Sequence, residues 1–188
     1  MSQKDERRTF VAVPVPTSLK KQLSAWIEEK RDELSFRKWI HQQDIHITLH
    51  FLGGTSSSQL EQILNTLHDL CKKEVPFSLS VDRFGTFGNN KQPHIFWAGV
   101  AGELDRLHQL QKRVTAALQP IGFPAEIRPY HPHITLARKY AADDFPQRSL
   151  SALDVVSGSW TVDEIVLYES ILGKEPMYHV VQTFPFGK

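Results

Sequence analysis

The chain has 188 residues, of which 40% are hydrophobic and 23% charged, a balance typical of globular domains and unlike that of disordered chains. Its 22 Lys and Arg residues and 21 Asp and Glu residues leave a formal net charge of +1, which excludes a global positive field for gripping long nucleic acid. A short or terminal nucleic-acid ligand stays compatible with this charge. The single cysteine, Cys71, excludes a disulfide within the chain.

The sequence predicts a cytoplasmic, monomeric protein. The opening segment MSQKDERRTF has charges but no apolar stretch of signal-peptide length, and no run reaches the roughly 18 apolar residues of a membrane span. At this length we expect a single domain over residues 1–188.

The first predicted elements are a strand at 9–15 and a helix that follows it, with Thr17 or Ser18 as its cap. A second helix follows near position 58. Its predicted capping box is Ser58 with Glu61, and it runs to about Lys73 with Cys71 facing inward.

Between these helices, residues 44–51 alternate between apolar and polar side chains, which predicts a strand with one polar face. The apolar face is predicted to hold Ile45, Ile47, Leu49 and Phe51. The polar face is predicted to hold Asp44, His46, Thr48 and His50.

The rest of the chain predicts strands at 77–84 and 94–100, a helix at 103–119, and strands at 131–138, 160–170 and 177–184. This order repeats the earlier one at a spacing of 85 to 87 residues. The matched pairs are Leu19 with Leu104, His46 with His133, Leu79 with Ile165 and Ile95 with Val180. We infer a domain made of two duplicated halves, in which residues 140–156 have no counterpart of the capped helix.

The tetrapeptide His-Ile-Thr-Leu begins at His46 and again at His133, once in each half. In each copy the histidine and the threonine point to one face of a strand. If a pseudo-twofold axis relates the halves, the two pairs face each other across a cleft. Two imidazoles can then share acid and base duty near neutral pH, and two hydroxyls can hold the oxygens of an anion. This combination favours in-line cleavage of a phosphodiester.

Other readings of the same residues stay open. Either pair alone is compatible with a merely structural histidine beside a good strand former. A zinc site is a second alternative, since His131 with His133, and His46 with His50, share predicted faces. Against zinc, threonine is a poor ligand, and its repetition would be unexplained. The sequence has neither the Gly-x-Ser-x-Gly elbow of a serine nucleophile nor a phosphate-binding P-loop.

The segments DIHITLHFLGG, VDRFGTFGNNKQPHIFWAGV, PHITLAR and IVLYESILGKEPMYHVVQTFPF resemble the two-histidine phosphoesterase superfamily. Within it they look like the RNA 2′,3′-cyclic phosphodiesterase branch, also called LigT-like or 2′-5′ RNA ligase-like, over nearly the whole chain. The resemblance implies a bilobal α+β fold, with antiparallel sheets lining a central cleft and helices outside. It departs at His50, where relatives often carry Arg or Lys.

The implied activity is hydrolysis of a 2′,3′-cyclic phosphate on an RNA end or a small nucleotide, without metal or cofactor, to a 2′-phosphomonoester. By the same resemblance, His46 protonates the leaving 3′ oxygen and His133 activates water. Thr48 and Thr135 hold phosphate oxygens, and Arg138 adds positive charge. The alternatives are 2′,5′-phosphodiester cleavage or ligation, and a nucleotide-binding module without turnover.

Aromatic and basic side chains supply further binding candidates. The aromatic residues that include candidates for base stacking are Phe51, Phe84, Phe87, Trp97, Tyr130 and Tyr168. Of these, Tyr130 and Phe51 are expected nearest the cleft, because they adjoin the motifs. The candidates for a local basic rim are Arg37, Lys38, Arg83, Arg128, Arg138 and Lys139.

Overall fold

The computed structural model describes residues 6–188, apart from the side chains of Arg148 and Ser149. The first five residues of the opening segment thus lie outside it. The strands are β1 (Arg7–Pro14), β2 (Phe36–Trp39), β3 (His46–Thr55), β4 (Phe77–Gly88), β5 (Pro93–Gly102), β6 (His133–Tyr140), β7 (Ser159–Val162), β8 (Glu164–Ser170) and β9 (Tyr178–Pro185). The helices are α1 (Thr17–Lys30), α2 (Ser57–Cys71) and α3 (Leu104–Leu118), with short 3-10 helices at Gln42–Asp44, Gln119–Ile121 and Gln147–Ala152. None of these helices is long and apolar enough to cross a membrane.

The two helix caps differ from those predicted. Pro16 precedes α1, and no side chain caps that helix. At α2 the capping box consists of Ser56 and Gln59, two residues before the predicted pair. The Ser56 hydroxyl accepts from the Gln59 amide at 3.3 Å, and the Gln59 side chain accepts from the Ser56 amide at 3.1 Å. Three consecutive serines could each begin this motif, and the first of them is the residue that caps the helix.

The sheet is antiparallel, and its strand order is β7-β4-β5-β6-β3-β1-β8-β9, with β2 paired to β6 off this path. The order is symmetric about its centre: β6 and β3 lie in the middle, flanked by β5 and β1, then β4 and β8, then β7 and β9. This supports the predicted match of Leu79 on β4 with Ile165 on β8. The same symmetry shows that the predicted match of Ile95 with Val180 is wrong, because β5 occupies the position equivalent to β1 and not to β9.

The predicted strand at 160–170 is in fact two strands. Asp163 alone separates β7 from β8, yet β7 pairs with β4 and β8 pairs with β1. These strands lie near opposite ends of the strand order, so the sheet must curl to bring them together. No prediction covered the short β2, whose four residues pair with the outer part of β6.

The helices cover one face of the curled sheet. On α1, Trp26 packs against Phe84 of β4 at 4.4 Å between ring centroids and against Phe96 of β5 at 5.9 Å. On the other half of the sheet, α3 contacts both β3 and α2. The inward position predicted for Cys71 is confirmed, and burial raises the pKa of its thiol to about 12. The buried hydrophobic residues of all three α-helices belong to one core cluster with Ile47 and Ile134, and the opposite face of the sheet, the free face, carries the two motifs.

A β-bulge in β3 changes which side chains reach that free face. Thr48 pairs with Ala12 of β1, but His50 pairs with Val11, so Leu49 is an extra residue. Beyond the bulge the alternation shifts by one residue. His50 is therefore buried, and Phe51 is 57% exposed. The predicted alternation is right from Ile45 to Leu49 and wrong for His50 and Phe51. Asp44, predicted to begin the strand, lies in the 3-10 helix before it.

β6 has the same irregularity at the equivalent place. Thr135 pairs with Trp97 of β5, but Ala137 pairs with Phe96, so Leu136 is the extra residue. Ala137 is fully buried, as His50 is in β3. The next side chain, Arg138, is half-buried and takes the position that Phe51 has in β3.

Candidate active site

The two His-Ile-Thr-Leu motifs meet at the centre of the sheet. Ile47 of β3 pairs with Ile134 of β6, the only bridge that joins these strands in the described part of the chain. Both isoleucines are fully buried on the helix side. Their neighbours therefore point to the free face, where His46, Thr48, His133 and Thr135 are all half-buried. Diagonal neighbours across such a bridge lie about 7–8 Å apart, and somewhat less at their Cβ atoms.

Each imidazole is held by the backbone carbonyl two residues before it. His46 Nδ1 lies 2.6 Å from the Asp44 carbonyl oxygen, and His133 Nδ1 lies 2.7 Å from that of His131. A carbonyl only accepts, so Nδ1 carries the proton in both rings. Nε2 of each ring then presents a lone pair. His46 Nε2 accepts from the Thr48 hydroxyl at 2.9 Å.

Aromatic side chains enclose His46. Ring centroids of Phe10, Tyr178 and Tyr168 lie 4.9, 5.1 and 6.0 Å from its own. Its pKa is lowered to about 4, chiefly by burial and further by the charges of Lys20 and His133.

His133 lies in a different aromatic setting. Phe87 meets its ring edge-on at 4.9 Å, and Trp97 lies at 6.4 Å. Burial lowers the pKa of His133, and the charge of Arg138 lowers it further. Both histidines are therefore biased towards the neutral form in the free protein. Of the remaining aromatic candidates, Phe84 is buried in the core against α1.

Arg138 and Phe51 reach the free face from opposite ends of the site. Arg138 lines the same pocket as Tyr178, whose ring lies beside His46. Phe51 packs on Phe10 at 5.9 Å and is otherwise open. β3 and β6 are antiparallel, and both residues follow their motifs by the same number of positions, so the cation and the exposed ring lie at opposite ends of the cleft.

Tyr130 approaches β3 from the helix side. Its hydroxyl donates to the Thr48 carbonyl oxygen at 2.9 Å, and its ring meets His108 of α3 at 5.5 Å. This placement fixes the backbone of Thr48. A contact of Tyr130 with substrate stays a prediction.

Sequence reasoning missed the role of Asp44, whose carboxylate is buried. It accepts from the amides of Met177 and Tyr178, at 2.9 Å each. One residue thus anchors the chain between β8 and β9 with its carboxylate and His46 with its carbonyl. Alternation alone placed Asp44 on the polar face, but nothing local indicated a partner 133 residues away.

The zinc alternative placed His131 with His133 on one face and His46 with His50 on another. The bulge separates the second pair, because His50 is buried against the Phe123 carbonyl at 3.4 Å. Within residues 6–188, no three His, Cys, Asp or Glu side chains are grouped so as to hold a metal ion.

A pseudo-symmetric antiparallel sheet with helices on one face and one His-x-Thr pair from each half on the other defines a two-histidine phosphoesterase fold. Solved structures share it. Escherichia coli LigT complexed with 3′-AMP aligns with a TM-score of 0.79 and 22% identity, covering 98% of this chain and 100% of that one. The protein TT0787 of Thermus thermophilus aligns with a TM-score of 0.76 and 27% identity, covering 96% of this chain and 98% of that one. The predicted bilobal α+β fold is confirmed.

Sequence comparison gives the family. The profile of the 2′-5′ RNA ligase superfamily matches residues 16–173. An RNA 2′,3′-cyclic phosphodiesterase of Bacillus subtilis is 32% identical over 182 residues, covering 93% of this chain and 94% of that protein. One of Geobacillus stearothermophilus is 37% identical over 94% of this chain, which spans 56% of that relative's length. The chain belongs to the 2′-5′ RNA ligase superfamily.

Proposed function

We propose that the chain is an RNA 2′,3′-cyclic phosphodiesterase, which opens the cyclic phosphate of an RNA end or a small nucleotide to a 2′-phosphomonoester. The observation that carries this proposal is the bridge between Ile47 and Ile134, because it brings two imidazoles and two hydroxyls to one face. The relatives named for this activity in Bacillus subtilis and Geobacillus stearothermophilus support the substrate class.

In the proposed mechanism, His133 Nε2 takes a proton from a water molecule whose oxygen attacks phosphorus. The bond from phosphorus to the 3′ oxygen breaks, and His46 gives its Nε2 proton to that oxygen. The 2′ oxygen keeps the phosphate. Thr48 and Thr135 donate hydrogen bonds to the non-bridging oxygens, and Arg138 offsets their charge.

The Nδ1 contacts support this use of the rings. Since both Nδ1 atoms donate to carbonyls, each ring exchanges protons through Nε2, on the cleft side. The pseudo-symmetry makes the rings chemically alike, so their roles must be separated by experiment. No metal is required, and we expect turnover to survive EDTA.

The direct test is incubation with a 2′,3′-cyclic mononucleotide and a cyclic-phosphate-ended RNA, with the product position read by phosphorus NMR. His46→Ala and His133→Ala should each reduce turnover by roughly 10²- to 10⁴-fold, the usual contribution of a general acid or base. Circular dichroism checks that the variants fold. Full turnover in either variant would remove that histidine from the mechanism.

The family name supports a second candidate, cleavage or ligation at 2′,5′ linkages, which uses the same groups. A 2′,5′-linked dinucleotide distinguishes it from the first, because only this candidate consumes the dinucleotide. A module without turnover would instead show a raised Tm with AMP while every cyclic phosphate persists.

A further inference from the structure

A pocket of about 430 Å³ opens beside His46, between β2, the end of β6 and the chain that joins β8 to β9. Its volume lies in the range of small-molecule sites, about 300–1,000 Å³. Asp44 and Tyr178 line it, and both also contact His46. The pocket is therefore continuous with the proposed reaction site.

The pocket concentrates positive charge. Its cationic residues are Arg37, Lys38, Arg138 and Lys174, and its carboxylates are Asp44 and Glu175. Four positive and two negative charges give a formal +2 in this one pocket, against +1 for the whole chain. In the described part of the chain, none of the four cations lies within 4.0 Å of a carboxylate oxygen. The Asp44 carboxylate is already engaged by two backbone amides.

Two of these cations face each other directly. Lys38 on β2 and Arg138 on β6 are cross-strand partners in the register. Like charges in this arrangement repel and destabilise the pairing. An anion bound between them would remove the repulsion, so the free pocket is arranged to receive one.

The difference between the two ends of the cleft indicates which anion the pocket binds. Arg138 marks the end of the cleft next to the pocket, whereas Phe51, with 57% of its surface exposed, marks the other. A nucleoside that stacks on the exposed ring leaves the cationic end for the sugar-phosphate chain. Trp39 and Met177 supply apolar lining there, which suits a ribose beside a phosphate.

We propose that this pocket binds the phosphodiester immediately upstream of the terminal nucleotide, so that the enzyme favours RNA ends over free cyclic mononucleotides. This rests on the proposed function and adds a substrate preference to it. Arg37 and Lys38, on the exposed strand β2, would contact the non-bridging oxygens of that upstream phosphate.

The test compares two substrates, a 2′,3′-cyclic mononucleotide and a dinucleotide with the same cyclic end, which adds one upstream phosphodiester. The quantity measured is the ratio of their kcat/KM values. The double variant Arg37→Gln/Lys38→Gln should reduce the preference for the dinucleotide by at least roughly tenfold, because even one charge-assisted phosphate contact is worth about that factor. Its preference should also become less dependent on salt concentration.

The matched control is Lys73→Gln/Lys112→Gln, which removes the same charge from two exposed lysines, one just after α2 and one on α3. It should keep the wild-type ratio. An unchanged ratio in the Arg37/Lys38 variant, or an equal fall in the control, would overturn the subsite. If the wild-type protein hydrolyses neither substrate, the proposed function itself fails, which is a separate result.

Discussion

Binding of a phosphate in the cleft should raise the pKa of His46 by about three. In the free protein this pKa is about 4, chiefly because the ring is buried among Phe10, Tyr168 and Tyr178. At pH 7 only about one molecule in a thousand would then carry the proton that an acid must donate. The substrate itself must therefore supply the missing stabilisation of the imidazolium.

The magnitude follows from the proposed geometry. If His46 and His133 bracket one phosphate, a single negative charge lies about 4 Å from each ring. At an effective dielectric constant near 20, this contact is worth about 4 kcal/mol, or a rise in pKa of about three. The pKa of His46 would then move from about 4 to about 7, where the ring can both hold and release a proton during turnover.

The assay is an NMR titration of the imidazole signals with and without saturating inorganic phosphate, with His46→Gln to assign the resonance. We expect the His46 midpoint to rise to near neutral pH when phosphate is bound. A midpoint that stays near 4 while His133 rises would reverse the proposed roles, making His133 the acid. If neither midpoint moves, the two rings do not bracket the phosphate, and the mechanism is wrong.

Three further predictions concern stability and binding. Asp44→Ala removes the acceptor for the Met177 and Tyr178 amides. The free energy of unfolding, measured in urea, should therefore fall by about 3 kcal/mol. Asp44→Asn keeps one of the two oxygens, so its free energy of unfolding should fall by less. The pKa of His46 is about 4 in the folded state and 6.5 in the unfolded state, so the unfolded state binds more protons between these pH values. The free energy of unfolding should therefore fall by up to about 3 kcal/mol as the pH drops through this window. Urea titrations at pH 7 and pH 4 measure this fall, which should be smaller in His46→Gln. Phe51→Ala should leave Tm nearly unchanged. It should weaken binding of base-bearing substrates by about 1–3 kcal/mol. The measurement is the rise in the KM of such a substrate, compared with the KM of a cyclic phosphate that lacks a base.

The centre of the site was predictable because it depends on local pattern and repetition. Alternation placed His46 and Thr48 on one face, and the repeat at His133 and Thr135 indicated a second copy of the same surface. The bridge at Ile47 and Ile134 is what two equivalent strands form when they meet across a twofold axis. None of this needs information beyond strand geometry and a repeat.

The rest of the site depends on contacts that no short segment encodes. Asp44 meets the amides of Met177 and Tyr178 only after the sheet has curled. The pairing of Lys38 with Arg138 depends on β2, a four-residue strand whose alternation is too short to distinguish from loop. Both features lie in the pocket beside His46. Sequence reasoning named Arg37, Lys38 and Arg138 as candidates for a basic rim, but it did not predict the strand pairing that places them in one pocket.

The two bulges show how a symmetric site becomes directional. Each makes the last residue of a His-Ile-Thr-Leu motif the extra one, at Leu49 and at Leu136, and the second residue after it then faces the cleft. The spacing that links the two histidines also links Phe51 to Arg138. The two motifs are identical, whereas these equivalent positions are aromatic in β3 and cationic in β6. Under the proposed function, a substrate with a base at one end and phosphates at the other would bind in one orientation only, which would separate the roles of two otherwise equivalent histidines.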